Sequence, residues 1–410
     1  MTPEERRAFG ARVAEHRKRR RMTQAGLAAA IGRTASWVSQ VERGVQPVDR
    51  LNVLRLLAEG LGVSVQALQP TAPPEAPVPP AITEQPNDLD AARLLISGHP
   101  AVGALLGAAD HTTPTLPELR SKVDEVWQLT HAASFATLSA LLTRVLPELE
   151  TAARTVAPDD RSTAYALLAE TYQALSAAFV RQDEADAAWV AADRAIHAAE
   201  LSGQPLAACA GVFRLVQAFV RLKRFDQAEH AATTAVRALT LHTDEGATPE
   251  GLSVLGSLHL VLALVHARAG QRNEARKEIA NARTVARRLG EDRNDFNLEF
   301  GPTNVEIQAV STAVELGDAG EALDIGHDID ASGLSAERRS RLLMDMGRAY
   351  TQRRQIGEAV DCLLRAEELA PESVRGHVAA RSAIRELVLI ADRSASPELL
   401  GLAERADAMP

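Results

Sequence analysis

Cysteine is almost missing from this chain, with only Cys209 and Cys362 among 410 residues. Both fall inside apolar helical patterns without His or Cys neighbours at ligand spacing, so a disulfide framework or a zinc site is excluded and both thiols are expected in the core. Aromatic residues make up 3% against 46% hydrophobic, which suits helices of small and straight-chain residues over aromatic-rich sheets. The opening MTPEERRAFG lacks the apolar stretch of a secretory signal. The most apolar later run, Val254 to Ala267, contains Ser257, His259 and His266 and is shorter than the roughly 20 residues a bilayer requires, so a cytoplasmic location is expected. Phosphate loops, HExxH, GxSxG and paired cysteine ligands are all absent, so nothing asks for an enzyme, a cofactor or a metal. His259 and His266 lie two turns apart with no third ligand and read as core or groove histidines.

Charge is present but unevenly placed. The chain carries a net −9, yet residues 1–69 hold 12 Lys and Arg against 6 Asp and Glu, leaving −15 for residues 70–410. A basic head on an acidic body is the footprint of a nucleic-acid-binding domain joined to something else. Between them runs PTAPPEAPVPPAITEQP, whose prolines deny helix and sheet their donors. The expected division is a head at 1–69, a proline-rich linker at 70–87 and a helical body at 88–410.

In the head a helix is expected over 4–20, with Phe9 and Val13 inward and Arg12, Arg17, Lys18, Arg19 and Arg20 outward. Thr23 caps a helix through Ile31, Gly32 supplies a left-handed turn, Thr34 caps a helix through Arg43, and Gly44 stops it. Val38 and Val41 pack inward with Leu27 and Ile31, leaving Ala35, Ser36, Ser39 and Gln40 outside. Asp49 caps a helix carrying Leu51, Leu54, Leu57 and Leu61, and Ser64 caps a last turn near Leu68. With Thr23-Gln24, Leu27-Ala28, Ile31-Gly32, Ser39, Glu42-Arg43-Gly44 and Leu61-Gly62-Val63 at these spacings, residues 9–68 resemble the Cro/phage-repressor class, also called the xenobiotic-response-element family.

That resemblance implies a five-helix DNA-binding domain. Gln24 is then expected to grip a phosphate with its amide, and Ala35, Ser36, Ser39 and Gln40 to face base edges in the major groove. Arg33, Thr34, Trp37 and Arg43 are expected to flank phosphates, and basic residues 17–21 to contact them too. Two placements stay open for Trp37, core or backbone-facing, and Gln40 could equally be solvated. The short side chains at 35 and 36 leave direct readout sparse, with DNA shape sharing the discrimination.

The body carries an internal repeat. DEADAAWVAADRAI (183–196), RFDQAEHAATTAV (224–236), QRNEARKEIANARTV (271–285), GDAGEALDIGHDI (317–329) and QIGEAVDCLLRAEELAP (355–371) align on Ala188, Ala228, Ala275, Ala322 and Ala359. Ala195, Ala235, Ala282, Ile329 and Ala366 follow seven residues later on the same face. These segments resemble tetratricopeptide repeats, most clearly where Gly347, Tyr350, Ala359, Ala366 and Pro371 fill the family's positions. The resemblance implies an all-α chain whose body is an α-solenoid of helix hairpins, with Glu170, Gln173, Arg214, Gln217, Ser257, Asn304, Gln308, Arg341, Asp345 and Arg348 facing a concave groove. Amides and guanidiniums suit a peptide or small-molecule effector. FNLEFGPTNVEIQ (296–308), with its Gly-Pro break, is expected either to line that groove's mouth through a helix capped by Thr303 or to be an ordinary turn. The partners expected are palindromic double-stranded DNA and a second copy of the chain in a homodimer. The alternative is a body that serves only as a dimer and protein-partner scaffold without a small ligand.

Overall fold

Helices make up the regular structure of the computed structural model among its described residues, which are 3–31, 33–46, 48, 51–63, 65–68, 87–98, 114–243 and 247–410. The chain divides into two units, Met1–Glu84 and Gln85–Pro410.

The head consists of α1 (Pro3–Arg19), α2 (Gln24–Ala30), α3 (Ala35–Glu42), α4 (Leu51–Leu61) and α5 (Val65–Leu68). Side-chain caps start the two central helices. Thr23 Oγ1 accepts from the Gly26 N–H at 2.9 Å, and Thr34 Oγ1 accepts from the Trp37 N–H at 3.2 Å, each satisfying one donor that a helix leaves open. Gly44, at φ +71°, takes the left-handed turn after α3. The turn assigned to Gly32, the caps assigned to Asp49 and Ser64, and the proline-rich stretch 70–86 lie outside the described residues.

Phe9, Val13, Leu27, Ala28, Ile31, Val38, Val41, Leu54, Leu57, Leu61 and Leu68 form one core. It closes because α1 crosses α3 at Gly10, where an added Cβ would lie 2.3 Å from the Val41 carbonyl oxygen. Only glycine tolerates so close an approach.

The body opens with α6 (Asp90–Ser97), α7 (Leu116–His131), α8 (Phe135–Thr155), α9 (Pro158–Arg181), α10 (Ala185–Ser202), α11 (Pro205–Arg221) and α12 (Phe225–Thr243). It continues with α13 (Pro249–Arg268), α14 (Arg272–Leu289), α15 (Pro302–Glu315), α16 (Ala319–Asp328), α17 (Ala336–Gln352) and α18 (Ile356–Leu369), and ends with α19 (Pro371–Gly376), α20 (Val378–Ala391) and α21 (Pro397–Arg405). Asn87, expected to end the linker, is instead tied into the body: its amide donates to the Ala133 carbonyl at 2.8 Å and accepts from the Ala136 N–H at 3.0 Å.

Each helix from α7 to α18 packs on its successor, and α7, α9, α11, α13, α15 and α17 also pack on one another in sequence. Alanine makes this possible. Ala188, Ala228, Ala275, Ala322 and Ala359 are all fully buried, each on the second helix of a pair at a point where a larger side chain would hold the helices apart.

The apolar run seen in the sequence belongs to a longer helix than expected. At 20 residues, α13 is long and apolar enough to cross a membrane by length and composition, but 83% of that stretch is buried inside the body. It is the body's central helix, with Leu258, Val254 and Val265 fully enclosed.

Candidate functional site

Two places in the molecule gather polar chemistry, one in each unit. In the head, α3 turns Val38 and Val41 into the core while Arg33, Thr34, Ala35, Ser36 and Arg43 are exposed and Trp37, Ser39 and Gln40 are half-buried. The ring of Trp37 packs against the core, and the guanidinium of Arg33 lies 5.6 Å from its centroid. Arg43 Nε donates to the Ser39 carbonyl at 3.3 Å.

Three expected outward groups turn inward. Arg17 is buried, and its guanidinium forms a forked pair with Glu42 at 2.6 and 3.0 Å while Nη1 donates to the Met22 carbonyl at 2.8 Å. Gln24 Nε2 donates to the same Glu42 carboxylate at 2.7 Å. Arg12 Nε donates to the Leu68 carbonyl at 2.7 Å. A carboxylate on the inner side of α3 needs donors, and Arg17 and Gln24 are the ones within reach, so both serve the fold before they can serve a phosphate. Lys18, Arg19, Arg20 and Arg21 remain exposed. Burial pushes the Glu42 carboxyl up, and the hydrogen bonds from Arg17 and Gln24 outweigh that and hold it below its ordinary value. The result is a rigid lock joining α1, the start of α2 and the end of α3.

In the body, the helices that pack on one another in alternation surround a cavity of about 220 Å³. Six of the ten positions expected in a groove line it: Arg214, Gln217, Ser257, Asn304, Gln308 and Arg341. The other four hold helices together. Glu170 receives Arg120 at 2.7 Å, and Gln173 Nε2 donates to the Ala207 carbonyl at 3.1 Å. Arg348 bridges Asp345 and Glu315, each at 2.8 Å. These polar groups face a neighbouring helix, so helix-to-helix pairing satisfies them.

Arg214 is the most enclosed cation of the cavity at 6% exposure. Its guanidinium lies 5.5 Å from the ring of Trp127 and 5.3 Å from that of Phe213, and Nη2 donates to the Asn297 carbonyl at 2.7 Å. Burial pulls its pKa down to about 10, partly opposed by Glu299. Arg181 donates to the Thr130 carbonyl at 2.7 Å and to Glu337 at 2.5 Å. Burial lowers the pKa of His131, and burial with four surrounding arginines lowers that of His377 strongly, so both imidazoles are held neutral.

One wall of the cavity is the connection before α15. Phe296, Asn297 and Glu299 all take positive φ, at 52°, 55° and 52°, a conformation costing about 1–2 kcal/mol for each such residue. The surroundings hold it in place. Arg293 N–H donates to the Phe300 carbonyl at 2.8 Å, and the Phe300 ring is fully buried against Gly256, where an added Cβ would lie 1.9 Å from Cζ. Thr303 does not cap α15 as expected. Gly301 occupies the cap position with Pro302 next, and the Thr303 N–H is taken by Asp292 Oδ1 at 3.1 Å.

The sequence reading missed Trp127, His131, Arg181, Phe213, Arg221, Glu337, Arg338, Glu372 and His377 at this cavity, while Asn297, Leu298 and Glu299 come from the 296–308 stretch considered for its mouth. For two of them a signal existed. Phe-Val-Arg occurs at 179–181 and again at 219–221, one repeat later, and places Arg181 and Arg221 in the same register. His259 meets Glu278 at 2.5 Å and His266 meets Gln271 at 2.5 Å, so both are satisfied within the body. Burial raises both thiols, Cys362 to about 11, and leaves them poor nucleophiles.

A short helix capped by Thr34, crossing a supporting helix capped by Thr23 and presenting its small polar side chains to solvent, is the arrangement of a helix-turn-helix domain. Residues 8–70, 63 of the 410, match the family model of a helix-turn-helix domain, which points to a DNA-binding regulator rather than an enzyme. None of the curated proteins matches the chain.

Proposed function

We propose that this chain is a sequence-specific transcription regulator of the Cro/phage-repressor class. In this reading α3 enters the major groove of a palindromic operator, two copies bind as a homodimer, and the body is a tetratricopeptide-like solenoid that binds a peptide or small-molecule effector. The observation that carries the reading is the division of α3 between a buried Val38/Val41 side and a side exposing Thr34, Ala35 and Ser36 beside Ser39 and Gln40. Gln40 can bond adenine through two atoms and the serines can donate or accept. Arg33, Arg43 and the exposed basic residues 18–21 supply phosphate contacts, whereas Gln24 acts by positioning α3 through Glu42. A DNA-reading head belongs in the compartment that holds the genome, the cytoplasm of a cell without a nucleus.

Five fully buried alanines in phase and the alternate packing of the body helices support the solenoid. Six groove positions converging on one cavity support an effector.

Genome-wide mapping of binding sites, with the wild type and with Ser36→Ala/Gln40→Ala, tests the reading. Paired half-sites about one helical turn apart are expected, with occupancy lost in the variant; unchanged sites in the variant would remove α3 as the reading element. Sedimentation that finds only monomers on and off DNA would remove the homodimer.

A further inference from the structure

The cations of the cavity outnumber the anions. Arg181, Arg214, Arg221, Arg338 and Arg341 face it against Glu299, Glu337 and Glu372, which leaves +2 by residue identity, with both histidines held neutral. This positive interior lies in the acidic part of the chain. Several of the pairs are already made: Arg181 holds Glu337, Arg221 stands 3.7 Å from Asp183, and Glu372 receives Arg375 at 3.3 Å. That leaves Arg214, Arg338 and Arg341 with the single carboxylate of Glu299.

Glu299 does not satisfy them. Its closest approach to Arg338 is 3.8 Å, beyond hydrogen-bond reach. Arg338 Nε and Nη2, Arg214 Nε and Trp127 Nε1 are buried and have no hydrogen-bond acceptor among the described residues. Arg341 has no hydrogen bond or ion pair among the described residues and is exposed on the cavity wall. Buried donors without acceptors are costly, and guanidiniums most of all. Buried polar groups in native structures are mostly paired, so several unpaired donors facing one cavity call for a partner from outside the protein. Leu260, Leu264 and Met344 supply apolar wall beside them.

We propose that the cavity binds a small organic acid, with a carboxylate or phosphate against Arg214, Arg338 and Arg341 and an apolar body against Leu260, Leu264 and Met344. The proposal rests on reading the body as an effector domain and gives that effector its chemical class. The cavity, of about 220 Å³, lies between helices and pairs apolar wall with a few polar groups, as small-molecule sites in helical proteins do. Guanidiniums match both carboxylate and phosphate oxygens through paired donors.

The test uses the full-length protein without DNA and the fluorescent aromatic sulfonate 8-anilinonaphthalene-1-sulfonate as probe. Saturable binding is expected, displaced by phenyl phosphate or citrate and not by benzylamine. Arg341→Gln, which breaks no internal contact, and Arg214→Gln should each weaken binding about tenfold, the loss of one charge-assisted hydrogen bond. Arg237→Gln, on the exposed side of α12, should leave it unchanged. Equal binding by the wild type and Arg341→Gln, displacement by benzylamine as readily as by phenyl phosphate, or no saturable binding at all would each overturn the anion site. Retardation of operator DNA by the same proteins, measured without dye, is a separate readout, so failure of the anion site and failure of the DNA reading are distinguishable.

Discussion

Removing Arg17 should loosen the head more than any other single truncation of a charged side chain there. In the structure Glu42 is 8% exposed and accepts three hydrogen bonds, two of them from Arg17. Arg17→Ala leaves that carboxylate enclosed with Gln24 as its remaining donor, a situation that costs about 3–5 kcal/mol. A domain of this size is stable by about 5–15 kcal/mol in total, so much of its reserve is lost. Hydrogen exchange of the full chain, followed by mass spectrometry on peptides covering Val38–Glu42, isolates the head from the body. Amide exchange there should accelerate by about two to four orders of magnitude. Arg17→Met/Glu42→Leu, which removes both charges, should recover most of the protection because no uncompensated charge stays buried. The dependence on pH follows from the same pair. Glu42 has its folded pKa below its ordinary value of 4.5, so its stabilisation is complete above that value and is lost as acidity moves through the folded pKa. Less than tenfold acceleration in Arg17→Ala at neutral pH would refute the reasoning.

Four further outcomes can be measured. Gly10→Ala should destabilise the head by about 1–3 kcal/mol or more, since its Cβ would overlap the Val41 carbonyl; denaturant melts of the head peptides by hydrogen exchange check it. Gly256→Ala should expel the Phe300 ring from its site and lower the melting temperature of the body in calorimetry, with a cost within the roughly 3–5 kcal/mol of losing a buried phenyl group. His377 is held neutral while folded but gains a proton below about 6.5 when unfolded. The body should therefore lose stability as pH falls through that value, and His377→Asn, which can still cap α20, should flatten that slope. With its thiol pushed up to about 11, Cys362 should resist iodoacetamide at pH 8 in the native protein and react only after denaturation.

Much of the head is legible because its signals are local. Thr23 and Thr34 cap helices that begin at the next residue, and Gly44 ends one, so each can be read from a few neighbours. The Arg17–Glu42 pair spans 25 residues and depends on the angle at which α1 crosses α3. Nothing near Arg17 in sequence reveals that angle, so helix periodicity alone places it outward. Gly10 is silent for the same cause, because its need for a missing side chain exists only once α3 lies across it. In the body, the alanine phase gives the hairpins. Which polar side chains meet is set by how the first helices of successive pairs curve around one another. Arg214 and Gln173 are both expected to face the groove, yet one lines the cavity and the other donates to the Ala207 carbonyl. The stretch holding Asn297 and Glu299 reads from sequence either as groove mouth or as an ordinary turn, and the run of left-handed residues that brings both to the wall decides between them.

That run has a thermodynamic consequence through the hydrogen bond from Arg214 to the Asn297 carbonyl. A guanidinium that turns toward an incoming oxyanion weakens its grip on a backbone already held in a costly conformation. Occupancy of the cavity and the shape of the 296–300 stretch are then coupled free energies, and the coupling is reciprocal. A substitution that relaxes the backbone at 297 or 299 should therefore change the affinity for the acid, because it alters the conformation to which Arg214 is tied.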